Sequence, residues 1–283
     1  MTLTGSEAPV GVFDSGVGGL TVLKALLARL PGERFVYLGD TARLPYGTKS
    51  PETVARYSVQ AAEALADYGV KCLVIACNTA SSMGLPAIQQ HIQNMPVIGV
   101  IEPGAAAACA ASRTGRIAVI ATEGTVRGGA YQEAILRMRA DASVSAVPAP
   151  LFVALAEEGL HEGIIANEVA DHYLKPLFAP SATGKSVPDT LVLGCTHFPM
   201  LAAAIRATVG PNVRIVDSAA TTAASVEMRL RAAELATRSP PGAASAGSRV
   251  RFLATDGVER FARIGARFLS EPIAPDQVEP IDL

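Results

Sequence analysis

Two cysteines stand at matching places in two similar segments of the chain. Residues 73–79 read Leu-Val-Ile-Ala-Cys-Asn-Thr, and residues 191–197 read Leu-Val-Leu-Gly-Cys-Thr-His. Each apolar, β-forming run ends in a small residue, a thiol and two hydrogen-bonding residues, which predicts a buried parallel strand leading into a helix N-terminus. A thiol ionises most easily there, because unpaired backbone N–H groups and the helix dipole stabilise its anion.

Cys77 and Cys195 could therefore face each other across one pocket. One sulfur would remove a proton from one face of a carbon atom, and the other would return a proton to the opposite face. A lone cysteine is most often a small buried hydrophobe, but the duplicated setting of this pair favours a chemical role. Cys72, inside a strand, and Cys109, inside an alanine-rich helix, lack that setting and are predicted to be packing residues.

Further polar residues follow the predicted strand ends. The segment Asp14–Gly19 reads Asp-Ser-Gly-Val-Gly-Gly, whose spacing differs from that of a dinucleotide-binding motif. Its glycines could let backbone N–H groups reach a small anion, and Asp14 could bind an ammonium group or hold the first thiol for proton transfer. The loop 39–47 is either a wall of the site or a plain surface connection. His197 is a candidate partner for Cys195 or for a second carboxylate.

Short apolar strands alternate with helical stretches along all 283 residues, a pattern typical of an α/β protein with parallel sheets. Each cysteine segment is followed by a helix, an apolar strand, an acidic residue and an alanine-rich helix start, near 97–105 and 213–220. The repeat predicts two similar parallel-sheet lobes with helices on both faces and the site in the cleft between them. Strands are expected near 10–13, 35–38, 72–76, 97–100, 117–121, 144–147, 191–194, 213–216 and 250–253, and an exposed loop at 237–248.

Composition excludes several other classes of protein. The chain is 49% hydrophobic with a net charge of −2, and it has no concentrated basic face that would indicate a nucleic-acid or membrane partner. Residues 72–101 lack Asp, Glu, Lys and Arg, but their many polar side chains and two prolines argue against a membrane span. Residues 1–9 do not read as a secretory leader, so a cytosolic location is expected. Four cysteines without a C-x-x-C pair predict neither a disulfide framework nor a structural zinc site.

Several motifs together resemble glutamate racemases, members of the aspartate/glutamate racemase family. The resemblance covers nearly the whole chain. The residues that carry it are Phe13–Leu20, Gly39–Thr41, Pro45–Gly47, Ala76–Ser81 and Leu193–Pro199, together with Thr125, Tyr131, Leu151–Val153, Glu157, Gly159 and the closing segment 252–269.

This resemblance implies interconversion of L- and D-glutamate for peptidoglycan synthesis, with no cofactor and no metal. Cys77 and Cys195 would be the acid/base pair, Asp14 would assist the first, and His197 with Glu157 would assist the second. The residues implied to contact substrate are Asp14, Ser15, Tyr46, Gly47, Asn78, Thr79, Thr196 and His197. The resemblance also implies a homodimer, a first lobe of residues 1–99 and 212–283, and a second lobe, 100–211, inserted into it.

Other functions remain open at this point. The two-thiol design suits a racemase of aspartate or a related amino acid equally well. Cys77 and Cys195 could instead form a redox dithiol, or bind a metal together with His197 and Asp14. An amino-acid sensor on the same scaffold would bind glutamate without exchanging its α-hydrogen. A pyridoxal enzyme is disfavoured, because no lysine lies in the strand-end motifs.

Overall fold

The computed structural model describes residues 5–179, 187–237 and 249–283. The predicted loop at 237–248 therefore lies, apart from its first residue, outside the described residues. The strands are β1 Val10–Asp14, β2 Phe35–Gly39, β3 Cys72–Ile75, β4 Val97–Gly99, β5 Arg116–Ala121, β6 Ser143–Pro148, β7 Thr190–Gly194, β8 Arg214–Asp217, β9 Val250–Ala254 and β10 Val278–Pro280.

The helices connect these strands as the alternating pattern predicts. They are α1 Leu20–Arg29, α2 Pro51–Asp67, α3 Asn78–Met83, α4 Leu85–His91, α5 Ile101–Ala111, α6 Glu123–Gly128, α7 Ala130–Met138, α8 Leu151–Glu158, α9 Gly163–Phe178, α10 Ala202–Val209, α11 Ser218–Ala232 and α12 Val258–Leu269. Short 3₁₀ turns lie at Gly5–Glu7, Tyr46–Thr48, Phe198–Leu201 and Pro275–Gln277.

Two parallel sheets form the two lobes, and the internal repeat is confirmed in their topology. The first sheet has six strands in the order β10-β9-β2-β1-β3-β4, and the second has four in the order β6-β5-β7-β8. The order β2-β1-β3-β4 thus recurs as β6-β5-β7-β8. Because β3 and β7 hold equivalent central positions, the residues that follow them, including both cysteines of interest, emerge at the carboxyl edge of each sheet.

The central strands are buried on both faces, as expected for parallel sheets covered by helices. All residues of β1, β2, β3 and β7 are buried. One apolar cluster runs through both lobes and includes Leu23 of α1, Val226 of α11 and Phe198 beside the second sheet. Helix α12 contributes Phe261, Ile264 and Phe268, spaced so that one face of the helix packs on this core. The lobes are therefore held together by shared packing.

The place of β8 changes the expected lobe boundary. A second lobe ending at residue 211 leaves Arg214–Asp217 in the first lobe, yet this strand pairs in parallel with β7 of the second sheet. Arg214–Asp217 is therefore a strand of the second sheet. The last strand of the first sheet before the expected boundary at 99/100, β4, ends at Gly99.

The uncharged stretch 72–101 folds into two strands and two helices of the first lobe and the start of α5. Among the described residues, none of the helices has the length and apolar character needed to span a membrane.

Candidate active site

Cys77 lies directly after β3 and caps the N-terminus of α3, as predicted. Its sulfur accepts a hydrogen bond from the Ala80 N–H at 3.4 Å, and its thiol donates to the Ser15 hydroxyl at 3.4 Å. The side chain is buried. Burial, the Asp14 carboxyl and Cys195 raise the pKa of the Cys77 thiol to about 12, although the two hydrogen bonds lower it. This residue is therefore a protonated thiol at neutral pH.

Cys195 has a different local setting from the one predicted. It follows β7, but the next helical turn begins only at Phe198, so the thiol is not itself a helix cap. Its nearest polar partner is instead His197, whose Nδ1 lies 3.8 Å from the Cys195 sulfur. Both residues are buried. The His197 imidazole thus lies beside the Cys195 sulfur, whereas the Cys77 sulfur has the Ala80 backbone N–H beside it.

A chain of polar contacts leads away from Cys195 through His197. The His197 Nε2 lies 3.1 Å from Glu157 Oε1, and Glu157 Oε2 accepts a hydrogen bond from Arg260 at 2.7 Å. Burial alone lowers the pKa of His197, but its contacts with Cys195 and Glu157 outweigh burial and raise this pKa to about 10. Burial raises the pKa of Glu157, and the contacts with His197 and Arg260 more than reverse that effect.

Asp14, at the end of β1, lies behind the cavity wall. It is fully buried, and its Oδ2 accepts a hydrogen bond from the Gly16 N–H at 3.0 Å. The other carboxyl oxygen has no hydrogen-bond partner among the described residues. Burial raises the pKa of Asp14, and the nearby His197 lowers it. Because Gly16 already donates to Asp14, its N–H is not free for the bound anion that the sequence suggested.

One cavity of about 340 Å³ brings the candidate residues of both lobes together. Of the residues predicted for the site, those that line it are Ser15, Tyr46, Gly47, Cys77, Asn78, Thr79, Glu157, Cys195, Thr196 and His197. Asp14 is the exception. The cavity wall also contains Gly16 of the glycine-rich segment and Leu44 and Pro45 of the 39–47 loop, to which the sequence pointed. The lining residues that sequence reasoning did not assign to the site are Thr48, Thr122, Glu123, Pro150, Val153 and Ala154.

Hydroxyl groups of both lobes meet at one side of this cavity. The Oγ1 of Thr79 lies 2.9 Å from that of Thr122 and 3.2 Å from that of Thr125. Thr122 also caps α6, because its side chain accepts from the Thr125 N–H. Among the lining residues that the structure describes there is no lysine or arginine. Apart from the His197 imidazole, the lining therefore offers neutral N–H and O–H donors to the carboxylates of a ligand.

Tyr46 and Asn78 are each oriented by a residue outside the cavity wall. The Tyr46 hydroxyl donates to the buried Asp40, which also accepts from Arg43 at 2.7 Å. Burial and the neighbouring Asp40 raise the pKa of Tyr46, so it stays a neutral donor. The Tyr131 hydroxyl donates to Asn78 Oδ1 at 2.8 Å. Asp40 and Tyr131 are among the residues that carry the resemblance, but their contacts with Tyr46 and Asn78 were not predicted from the sequence.

Among the described residues, no group of three or more His, Cys, Asp or Glu side chains has the arrangement needed to hold a metal ion. All four cysteines are free thiols.

The profile of the Asp/Glu/Hydantoin racemase family matches residues 15–226. The chain belongs to this family. It is 48% identical over 260 residues to a glutamate racemase of Geobacter metallireducens, with 92% of each chain covered. Among solved structures, a glutamate racemase of Bacillus anthracis matches with a TM-score of 0.88, at 34% identity over 98% of each chain. One from Francisella tularensis in complex with D-glutamate matches with a TM-score of 0.86, at 33% identity over 98% of each chain.

Proposed function

We propose that this member of the racemase family is a glutamate racemase that interconverts L- and D-glutamate without a cofactor. The observation that carries the proposal is the pair Cys77 and Cys195, which come from equivalent strand ends of opposite lobes and line one cavity. The choice of glutamate is supported by the 48% identity to a glutamate racemase over most of both chains.

In the proposed reaction one sulfur begins as a thiolate and the other as a thiol. The thiolate takes the α-proton from one face of the substrate, leaving the electron pair on the α-carbon, and the thiol gives its proton to the opposite face. The configuration is inverted and the two sulfurs exchange protonation states. Each thiol is therefore base in one direction and acid in the other.

The surroundings of the two sulfurs differ in charge. Cys77 lies near the Asp14 carboxyl, and its pKa of about 12 favours the thiol form. Cys195 lies beside His197, whose pKa of about 10 makes it an imidazolium at neutral pH. We infer that Cys77 is the sulfur that begins as the thiol.

The α-proton of an amino acid is very weakly acidic, so the site must stabilise negative charge that develops at the α-carbon and the α-carboxylate. Neutral donors serve this purpose when they are already oriented and water is excluded. Ser15, Asn78 and the threonines 79, 122 and 196 line the cavity as candidate donors. Leu44, Pro150 and Val153 supply an apolar part of its wall that limits water.

Kinetics with both enantiomers of glutamate and of aspartate test the substrate assignment. We expect glutamate to be racemised with a kcat/KM at least about tenfold above that for aspartate, because the aspartate side chain is one methylene shorter and places its carboxylate differently in the same cavity. Preference for aspartate would contradict the assignment and favour the aspartate racemase alternative. Turnover that requires a thiol oxidant would favour the dithiol redox alternative.

The proposed role of the product is the supply of D-glutamate for peptidoglycan in the cytosol, where both thiols stay reduced. Expression of the chain in a bacterium that depends on added D-glutamate should remove that dependence. Continued dependence, with the protein present and folded, would contradict the role.

We also propose that the enzyme is a homodimer. The large apolar side chains of Leu151, Leu160, Ile164 and Ile165 are exposed on and beside α8 and α9, which supports an association surface on the second lobe. Light scattering coupled to size exclusion should give twice the chain mass of 29.2 kDa. A mass of one chain at micromolar concentration would contradict it.

A further inference from the structure

Tyr131 of α7 contacts the residues next to both cysteines. Its hydroxyl donates to Oδ1 of Asn78, the residue after Cys77, at 2.8 Å. Its ring lies against Gly194, the residue before Cys195, because a Cβ at position 194 would come within 3.1 Å of the ring atom Cε2. The tyrosine is fully buried. One side chain thus touches both thiol-bearing segments across the contact between the lobes.

The hydrogen bond determines which way the Asn78 amide is turned. A tyrosine hydroxyl that donates to Oδ1 leaves Nδ2 as the free end of the amide. This Nδ2 is buried and has no hydrogen-bond partner among the described residues. A buried amide donor without a partner is costly unless a ligand completes it. Asn78 lines the cavity, so a bound carboxylate is the partner that its position offers.

The space around Tyr131 leaves little freedom for the ring to move. A Cβ at Gly104 of α5 would come within 3.1 Å of the Tyr131 hydroxyl oxygen and 3.2 Å of Cε1. The ring therefore lies between two glycines, Gly104 on one side and Gly194 on the other. Burial raises the pKa of Tyr131 above its ordinary value, so the hydroxyl keeps its proton and remains a donor.

We propose that Tyr131 is a positioning residue for the reaction: it orients the Asn78 amide toward the substrate carboxylate and holds the Asn78 and Gly194 segments in register across the cleft. The inference rests on the proposed racemase function. Tyr131 is not among the described residues that line the cavity. It therefore acts through Asn78 and does not touch the substrate.

The test is Tyr131→Phe, which keeps the ring and its packing and removes only the hydroxyl. We expect KM for L- and D-glutamate to rise about five- to twentyfold, with kcat changed less, because the amide can then turn its oxygen toward the carboxylate. Tyr68→Phe is the matched control. It removes a hydroxyl that donates to Glu279 at 3.0 Å in the first lobe, away from the cavity, and its KM should equal that of the wild type.

A cycle with Asn78→Ala separates positioning from general structural support. If Tyr131 acts through Asn78, then adding Tyr131→Phe to Asn78→Ala should leave KM, or the glutamate-induced rise in melting temperature, within about twofold of the Asn78→Ala value. An active Tyr131→Phe enzyme with wild-type KM would overturn the inference, as would full additivity in the cycle. The activity of the wild type is measured first. If the wild type does not racemise glutamate, the proposed function itself is contradicted, and this outcome is distinct from a failure of the inference about Tyr131.

Discussion

Gly18 of the first lobe lies against Thr196 of the second so closely that no side chain fits between them. A Cβ at position 18 would come within 2.4 Å of the Thr196 Oγ1 and 2.5 Å of the His197 Nδ1. The glycine-rich segment after β1 therefore serves close contact between the lobes, next to the residues that follow Cys195. A nucleotide-binding loop would have used the same glycines to approach a phosphate.

Gly18→Ala should accordingly damage both stability and activity. The added methyl must displace Thr196 or His197, and overpacking of this kind costs about 1–3 kcal/mol of unfolding free energy. We expect a lower melting temperature and a kcat/KM reduced at least about tenfold. Gly16→Ala is the control for stability, because its Cβ would lie 3.4 Å from the Leu44 side chain, an ordinary contact. Wild-type activity in Gly18→Ala would show that the lobes do not need this contact.

Replacement of either thiol tests the two-base mechanism. Cys77→Ser and Cys195→Ser should each lower the rate of racemisation by about 10²–10⁴-fold, because a serine hydroxyl neither ionises nor transfers its proton readily. The remaining thiol can still exchange the α-hydrogen on its own face without inversion. The control is Cys109→Ser, a partly exposed cysteine remote from the cavity, which should keep full activity. Near-normal racemisation by either serine variant of the pair rules the mechanism out.

The contacts behind His197 predict a graded effect of two variants. Glu157→Gln removes the carboxylate that supports the imidazolium and should lower kcat/KM about tenfold or more. Arg260→Gln should lower it only about two- to fivefold, because the Arg260 side chain is 48% exposed and its ion pair is screened by solvent. Loss of Arg260 also raises the pKa of Glu157, so the acid limb of the pH profile should move to higher pH.

Arg267→Gln is the matched control for this series. Arg267 lies on the same helix as Arg260 but donates to the backbone oxygen of Glu157, so its loss leaves the charge next to the carboxylate unchanged. The acid limb of the pH profile of kcat/KM for Arg267→Gln should coincide with that of the wild type. A shift of equal size in both arginine variants would show that the helix contact matters and the charge does not.

Stability should depend on the protonation of His197. The folded-state pKa of about 10 lies above the ordinary histidine value of 6.5, so the folded form binds the proton more tightly. This contribution is fully present below pH 6.5 and is lost as pH rises toward 10. Chemical denaturation from pH 6 to 10 should show the unfolding free energy falling more steeply for the wild type than for His197→Gln, by on the order of 4 kcal/mol. Parallel curves would contradict the raised pKa.

The features that could be predicted from the sequence are those that depend on residues close together in the chain. The period of apolar residues located β1 to β9, and the duplicated strand ends placed Cys77 and Cys195 at equivalent sheet positions. The sequence does not predict β10, because Val278–Pro280 is short and contains a proline. It predicts β8 but not the sheet that β8 joins, because strand pairing depends on residues that are distant in the sequence.

Side-chain contacts between residues that are distant in the sequence could not be predicted either. Arg260 reaches Glu157 across 103 positions, and Tyr131 reaches Asn78 across 53. Asp14 could be identified as a candidate from its place at the end of β1. Its position behind the cavity wall could not be predicted, because it follows from the turn in which the Gly16 N–H donates to the Asp14 carboxylate. The sequence thus predicted which residues gather near the cleft, and packing decided which of them face it.

The most direct measurement is incubation of L-glutamate with the protein in D₂O, followed by mass spectrometry at Cα and by optical rotation. The account predicts that rotation decays to zero while one solvent deuterium enters each molecule of D-glutamate formed, without any added cofactor or oxidant. Retention of both the optical rotation and the α-hydrogen, by protein that is folded and has free thiols, would contradict it.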